Sequence, residues 1–131
     1  MIVVKSTQGL QQRIQIEHNS LVADVSVAHG GEGAGPDPHE LFDASLGACK
    51  AMTLLMYARQ RELPLERVTV DVERDDSEER KGLYRLNVTL HLEGALTDAQ
   101  RQQLLQIADR CPVHKLMTNS TIEVQTQLAE A

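Results

Sequence analysis

The stretch of sequence that decides the fold runs from residue 35 to residue 60 and reads GPDPHELFDASLGACKAMTLLMYARQ. Asp37 can cap a helix, Pro38 suits the first helical position, and Glu40 stands where a capping box places its carboxylate. After these residues, apolar side chains recur every three or four positions and form two stripes along the helix, and Pro64 ends the pattern. The segment therefore predicts one long helix, apolar nearly all round and buried on most sides.

Alternating polar and apolar residues on both sides of this helix predict antiparallel strands. The predicted strands are residues 10–16 and 21–28, joined by a turn at Asn19 and Ser20, then residues 68–72 and 83–92, joined by the charged run 74–81, and finally residues 122–128. Four glycines within residues 29–36 predict a loop whose backbone makes a close approach.

A second helix is predicted to begin at the capping box formed by Thr97 and Gln100 and to break at Pro112. A short helical or irregular piece, residues 113–117, follows the break. The element order is two strands, a long helix, two strands, a helix and a strand. The 131 residues fit a single domain, 1–131.

Composition and charge exclude several functions. Thirteen basic and nineteen acidic residues give a net charge of −6, which argues against binding to duplex nucleic acid or to an anionic membrane. The chain has no Trp, one Phe and two Tyr, so it offers no aromatic platform for stacking bases. The N-terminal residues lack the features of a signal peptide, and we therefore expect a cytoplasmic protein.

The chain has two cysteines, and in a cytoplasmic protein these are core thiols, metal ligands or redox-active thiols. Cys49 lies in the third turn of the long helix among apolar residues, where burial would raise its pKa and make it inert. If Cys49 is reactive, a cation from elsewhere must lower that pKa. Cys111 is either a small residue at a helix end or a thiol that condenses with a sulfenic acid on Cys49.

Two histidines and a glutamate have alternative interpretations. Cys111 and His114 could bind a metal ion together with Cys49 and His39, although the spacing is not that of a structural zinc site. His114 also fits an ordinary surface or loop histidine. The structural interpretation of Glu40 is a carboxylate that caps the helix. The functional interpretation is a carboxylate that orients a cation near the thiol.

Two segments resemble the signatures of a known family. GPDPHELFDASLGAC, residues 35–49, and ADRCPV, residues 108–113, resemble the two cysteine signatures of the OsmC/Ohr family. The resemblance extends over nearly the whole chain. It implies an α+β, OsmC-like fold in which antiparallel sheets wrap around a long central helix within an intertwined homodimer. Members of the family include thiol peroxidases that act on organic hydroperoxides.

The resemblance also implies roles for individual residues. Cys49 matches the peroxidatic nucleophile and Cys111 matches the residue that resolves it. In the family an arginine from the N-terminal strands pairs with a glutamate early in the helix and stabilises the thiolate, and the corresponding candidates here are Arg13 and Glu40. His39 occupies the usual glutamate position, and Glu40 follows one residue later, a shift of about 100° around a helix.

The sequence therefore predicts a cytoplasmic, dimeric, thiol-dependent peroxidase that acts in oxidative stress defence through a cycle of Cys49 and Cys111. A dithiol, lipoyl or thioredoxin-like reductant would reset the disulfide, and no organic cofactor or metal is required. The alternative is an OsmC-like redox or small-ligand-binding protein without peroxidase activity. A guanidinium of Arg13 beside Cys49 favours the enzyme, and its absence favours ligand binding.

Overall fold

The computed structural model describes residues 1–130. The chain divides into two compact units, Met1–Ala44 and a second unit that begins at Ser45. The long helix α1, Pro38–Gln60, runs through the boundary between them. Each unit contains one antiparallel sheet, so the α+β class and the long helix predicted from the sequence are confirmed.

The first unit holds a three-stranded antiparallel sheet in the order β1-β2-β3. Its strands are β1, Ile2–Ser6; β2, Gln12–Ile16; and β3, Asn19–Ala23. The sequence prediction missed β1, although Ile2, Val3 and Val4 form a β-branched run. The predicted turn at Asn19 and Ser20 is wrong because Asn19 pairs with Ile16, which leaves Glu17 and His18 as the turn. Glu17 accordingly adopts the left-handed backbone conformation, with φ of 50°.

The glycine-rich loop folds back onto the end of β3, around a buried carboxylate. Asp24 accepts hydrogen bonds from the backbone N–H groups of Ala34, Glu32 and Val25. The bond from Ala34 has the largest effect on the pKa of Asp24. Together the three bonds outweigh the effect of desolvation and hold this pKa below its usual value. A Cβ at Gly31 would overlap the carbonyl oxygen of Val25. The close approach predicted for the glycine-rich loop is therefore an approach to the backbone of this same chain. The predicted strand 21–28 ends at Ala23 because this loop begins there.

The second unit holds the two-stranded sheet and the shorter helices. They are β4, Arg67–Asp75; β5, Arg85–Glu93; α2, Asp98–Ala108; and α3, Pro112–Thr118. The charged run lies between β4 and β5, although β4 continues into it as far as Asp75. Thr97 and Gln100 cap α2 reciprocally, as predicted. The short piece after Pro112 is helical.

Helix α1 packs closely on β4 in this unit. A Cβ added at Gly47 would lie 3.2 Å from Cγ2 of Val72, so a larger residue there would push the helix off the sheet. The core behind this contact consists of Leu54, Leu104, Ile107 and Ala108, with Tyr57, Leu63, Leu65, Val68, Leu90, Leu92 and Leu96 packed against it. Residues 1–130 leave the opposite face of α1 uncovered, and Met52 and Met56 are 62% and 60% exposed.

The predicted last strand, residues 122–128, is not formed. Its apolar residues Ile122, Val124 and Leu128 are 67%, 81% and 97% exposed. A strand is stable only when its backbone N–H and C=O groups form hydrogen bonds with a neighbouring strand. Within residues 1–130 no strand pairs with this segment. The prediction of a strand at residues 122–128 is therefore wrong for the part of the chain that the structure describes.

None of the helices within residues 1–130 combines the length and the apolar character needed to cross a lipid bilayer.

Candidate functional site

Cys49 lies on α1 with its sulfur among hydrogen-bond donors. Hydrogen bonding from the backbone N–H of Val113, the thiol of Cys111 and the hydroxyl of Thr53 lowers its pKa. Desolvation of the partly exposed thiol is the largest single influence and raises its pKa. The three hydrogen bonds, with a smaller contribution from the positive charge of Lys50, outweigh desolvation and lower the pKa of Cys49 below its ordinary value.

Cys111 is completely buried and occupies the N-cap of α3. Its sulfur accepts a hydrogen bond of 3.3 Å from the backbone N–H of His114. Burial raises the pKa of Cys111, and the neighbouring sulfur of Cys49 raises it further. Because α2 already ends at Ala108, Cys111 does not end a helix, as one sequence interpretation had it, but begins the next one.

The proximity of the two sulfurs helps to shift the pKa values of two chemically identical groups in opposite directions. An unperturbed thiol has a pKa of about 8.5 and is mostly protonated at neutral pH. Lowering the pKa of Cys49 increases its thiolate fraction, whereas raising the pKa of Cys111 keeps that residue protonated and able to donate a hydrogen bond. The arrangement can therefore present one nucleophilic sulfur to a solute with a second, protonated sulfur beside it.

Lys50 follows Cys49 in the sequence and is only 2% exposed. Its ammonium donates to the carbonyl oxygen of Ala108 at 2.8 Å and to Oδ1 of Asp109 at 3.3 Å. It also lies 2.9 Å from Nδ1 of His114, which accepts from the ammonium when the ring is neutral. His114 is thus not the simple surface or loop histidine that the sequence suggested.

The other predicted site residues belong to the first unit. Arg13 lies in β2, opposite Lys5 and Val22, with an exposed side chain. Oε1 of Glu40 accepts a hydrogen bond of 2.9 Å from the N–H of Asp37, whose Oδ1 accepts one of 2.8 Å from the N–H of Glu40. This reciprocal capping box is the structural role predicted for Glu40.

No ion pair joins Arg13 to Glu40 in the part of the chain that the structure describes. His39, at the second position of α1, is exposed. The proposed roles of Arg13 and Glu40 stay predictions.

A metal site requires several ligands in one place. The metal interpretation needed at least three of Cys49, Cys111, His39 and His114 to converge. Among residues 1–130 no group of three or more His, Cys, Asp or Glu side chains is arranged to hold a metal ion.

Sequence reasoning missed three groups that act on the thiols, namely Thr53, Lys50 and the backbone N–H of Val113. Thr53 could have been found because it follows Cys49 by four positions and so lies on the same helix face. Lys50 was visible only as a charge within an apolar helix. The N–H of Val113 leaves no sequence signal, since its position depends on how α3 packs.

Comparison with known proteins places these cysteines in a family. The family model for OsmC-like proteins matches residues 30–127, which include both cysteines and every group that contacts them. The chain belongs to the OsmC-like family. No curated protein sequence matches this OsmC-like chain.

Solved structures share the fold of this OsmC-like chain. A Psychrobacter arcticus protein has 20% identity and a TM-score of 0.77, with 90% of this chain and 88% of that chain covered. The organic hydroperoxide resistance protein OsmC of Legionella pneumophila has 23% identity and a TM-score of 0.63, with 91% and 90% covered. The organic hydroperoxide resistance protein of Bacillus subtilis has 21% identity and a TM-score of 0.60, with 91% of both chains covered. At these identities the likeness shows the fold alone.

We predict that Cys49 and Cys111 differ in the pH dependence of their alkylation. Because only the thiolate reacts with iodoacetamide, the lowered pKa of Cys49 and the raised pKa of Cys111 should separate the two profiles. A separation of one pH unit corresponds to about a tenfold difference in thiolate at neutral pH. Peptide mapping after short exposures from pH 5 to pH 10 measures both profiles.

The control is Cys111→Ala, which removes the thiol that donates to Cys49. Its Cys49 profile should move to higher pH. A wild-type Cys49 that titrates at or above the value of a free thiol contradicts the described hydrogen bonding.

Proposed function

We propose that this protein is a thiol-dependent peroxidase that reduces organic hydroperoxides and serves in oxidative stress defence. The observation that supports this function best is the pair of neighbouring thiols with opposite pKa shifts, one partly exposed and the other buried. A peroxidase of this kind needs an accessible thiolate to attack and a protonated thiol nearby to finish the cycle.

In the first step of the proposed cycle the Cys49 thiolate attacks the terminal oxygen of the hydroperoxide. The S–O bond forms as the O–O bond breaks, and the leaving alkoxide takes up a proton to become the alcohol. Cys49 is then a sulfenic acid and the substrate has been reduced by two electrons. The hydrogen bonds to the Cys49 sulfur support this step because they increase the thiolate fraction.

In the second step the sulfur of Cys111 attacks the sulfur of the sulfenic acid. The S–S bond forms, the S–O bond breaks, and the hydroxyl leaves as water with the proton of Cys111. A dithiol then reduces the disulfide by thiol–disulfide exchange and is itself oxidised to a disulfide. We propose a lipoyl or thioredoxin-like dithiol for this role.

The organic class of the substrate is supported by the surface next to Cys49. Met52 follows Cys49 by three positions on α1 and is 62% exposed, so an approaching molecule meets an apolar side chain beside the sulfur. The names of the Legionella pneumophila and Bacillus subtilis structural neighbours, both organic hydroperoxide resistance proteins, point to the same class.

Arg13 and Glu40 enter the proposal as a second source of thiolate stabilisation. An arginine keeps its charge over the whole working pH range. Because a carboxylate has two oxygens, the capping bond through Oε1 of Glu40 is compatible with an arginine contact. In the alkylation experiment, Arg13→Ala should raise the pKa of Cys49 by at least about one unit, or about 1.4 kcal/mol. An unchanged profile removes Arg13 from the mechanism and leaves the contacts from α1 and α3.

The decisive experiment is consumption of cumene hydroperoxide, compared with hydrogen peroxide, by the reduced protein. Dihydrolipoamide or dithiothreitol serves as reductant. Wild type should turn over and prefer cumene hydroperoxide. Cys49→Ser should lose turnover, because its hydroxyl is not a comparable nucleophile. Cys111→Ser should consume about one equivalent when no reductant is added, and should turn over more slowly than wild type with the dithiol, since its sulfenic acid then has only the external thiol to react with.

A wild type that consumes neither peroxide above the rate of Cys49→Ser contradicts the peroxidase function. The ligand-binding alternative, with an apolar site over Cys49, would then replace it.

We further propose that the functional unit is a homodimer in the cytoplasm. Further along α1, Leu55 and Met56 are also exposed apolar side chains, and an apolar surface of this kind is typical of an interface. An obligate interface of this type buries more than about 2,000 Å² in total. Two free cysteines fit a reducing compartment such as the cytoplasm.

The dimer prediction is tested by mass in solution at micromolar concentration, where wild type should have twice the mass of one chain. Met56→Lys would bury a charge without a partner and should weaken the dimer at least tenfold, or about 1.4 kcal/mol. Gln102→Lys adds the same charge at an exposed polar position of α2 and should leave the dimer intact. A monomeric wild type contradicts the proposal.

A further inference from the structure

A buried lysine side chain lies one residue from the proposed nucleophile. Lysine is almost never fully buried unless its charge is paired and hydrogen-bonded, because taking an ammonium out of water is costly. Lys50 meets this requirement with three acceptors, the carbonyl oxygen of Ala108, Oδ1 of Asp109 and Nδ1 of His114. Its three N–H groups are thus all engaged, and the ammonium has one well-defined position.

The three acceptors lie on both sides of Cys111 in the sequence. Ala108 is the last residue of α2 and Asp109 is its C-cap, whereas His114 lies in α3. Between them the chain turns and presents Cys111 at the N-cap of α3. Lys50 therefore ties α1 to both sides of the turn that carries the second thiol.

Lys50 and Cys49 contact different parts of this turn. Consecutive residues on a helix diverge by about 100°, so the two side chains leave α1 in different directions. The Cys49 sulfur meets Cys111 and the N–H of Val113, and the Lys50 ammonium holds the flanking residues. Lys50 can thus fix the distance between the sulfurs without lying between them.

We propose that Lys50 is a positioning residue that holds the Ala108–His114 segment so that Cys111 can close the disulfide with oxidised Cys49. The inference rests on the proposed two-cysteine cycle and assigns to Lys50 its resolving step. The charge of Lys50 is the smallest of the influences that lower the pKa of Cys49, so the attack on peroxide depends on it weakly. Closure depends on it strongly, because a displacement of about 1 Å can slow a reaction between two held groups about a hundredfold.

The ion pair with Asp109 contributes less to the clamp than the other two contacts. The side chain of Asp109 is 73% exposed, and solvent screens such a pair strongly. The carbonyl of Ala108 and the ring of His114 therefore carry most of the positioning. Asp109→Asn, which keeps an acceptor at the same place, should behave as wild type.

A sulfenic acid on Cys49 has two competing fates, and their ratio reports on positioning. Attack by Cys111 gives the disulfide with release of water, whereas a second hydroperoxide molecule oxidises it to the sulfinic acid and leaves as the alcohol. The first rate depends on how the Ala108–His114 segment is held, and the second depends on peroxide concentration. A slower closure thus shifts oxidation towards the sulfinic acid at lower peroxide.

The test compares wild type with Lys50→Met, which conserves side-chain volume but removes the charge and the donors. Each reduced protein is treated with increasing cumene hydroperoxide, and intact-mass spectrometry separates the disulfide from the sulfinic acid. Half-conversion to sulfinic acid in Lys50→Met should need at least about tenfold less peroxide than in wild type. Its rate of sulfenic acid formation and its Cys49 alkylation profile should change less than the closure step does, because Thr53 still donates to Cys49 from α1 itself, whereas Cys111 and Val113 lie in the segment that Lys50 holds.

The matched control is Lys115→Met, which removes a lysine from α3 in the same segment. Lys115 is exposed and makes no contact equivalent to that of Lys50, so its variant should oxidise as wild type. The positioning role is wrong if Lys50→Met gives the same ratio of disulfide to sulfinic acid as wild type. It is also wrong if Lys115→Met changes this ratio as much as Lys50→Met does.

A second variant covers the case in which Lys50→Met does not fold. His114→Leu removes one acceptor from a side chain that is 33% exposed, and its fold depends less on that contact. It should shift the division towards sulfinic acid in the same direction, by about threefold or more. No shift in a folded His114→Leu variant also contradicts the role.

Diamide separates failure of this inference from failure of the peroxidase function. It accepts the two hydrogens of a dithiol and so forms the disulfide without any peroxide. If wild type does not react with hydroperoxides, the peroxidase proposal fails, but slower diamide closure in Lys50→Met still supports positioning. Equal closure rates overturn the positioning role whether or not the protein is a peroxidase.

Discussion

The hydrogen bond between the thiols of Cys49 and Cys111 distinguishes two groups that are identical in isolation. Cys49 accepts and becomes easier to ionise, and Cys111 donates and becomes harder to ionise. Burial reinforces the difference, because Cys111 has no exposed surface. The chemistry proposed for the protein depends on this asymmetry, and the surrounding fold maintains it.

Three parts of the chain bring the two sulfurs together. The packing of Gly47 on Val72 holds α1 against the sheet of the second unit. The proline after Cys111 begins α3, so that the N–H of Val113 can donate to Cys49. Lys50 then fastens α1 to the turn before α3.

The sequence predicted what local signals determine. Helix α1 was predictable because its cap, its apolar spacing and its terminating proline all lie within one segment. The cysteine pair was predictable because two short signatures carry it. The strand 122–128 was predicted wrongly because alternation shows that a segment can pair but does not show that a partner exists within the chain.

The electrostatics of the site could not be predicted in the same way. Sequence reasoning required a cation to lower the pKa of Cys49 and selected Arg13 for that purpose. In the structure hydrogen bonds from Val113, Cys111 and Thr53 outweigh desolvation. Two of these donors come from residues more than sixty positions away along the chain, and a backbone N–H is the same for every residue except proline.

In the proposed cycle Cys49 is the sulfur that peroxide oxidises and Cys111 is its resolving partner. The most direct test is to treat Cys111→Ser and Cys49→Ser with one equivalent of cumene hydroperoxide in the presence of dimedone, which traps sulfenic acids, and to map the adduct. We expect an adduct on Cys49 in Cys111→Ser and almost none on Cys111 in Cys49→Ser. Equal trapping at the two positions, or trapping mainly at Cys111, would contradict it.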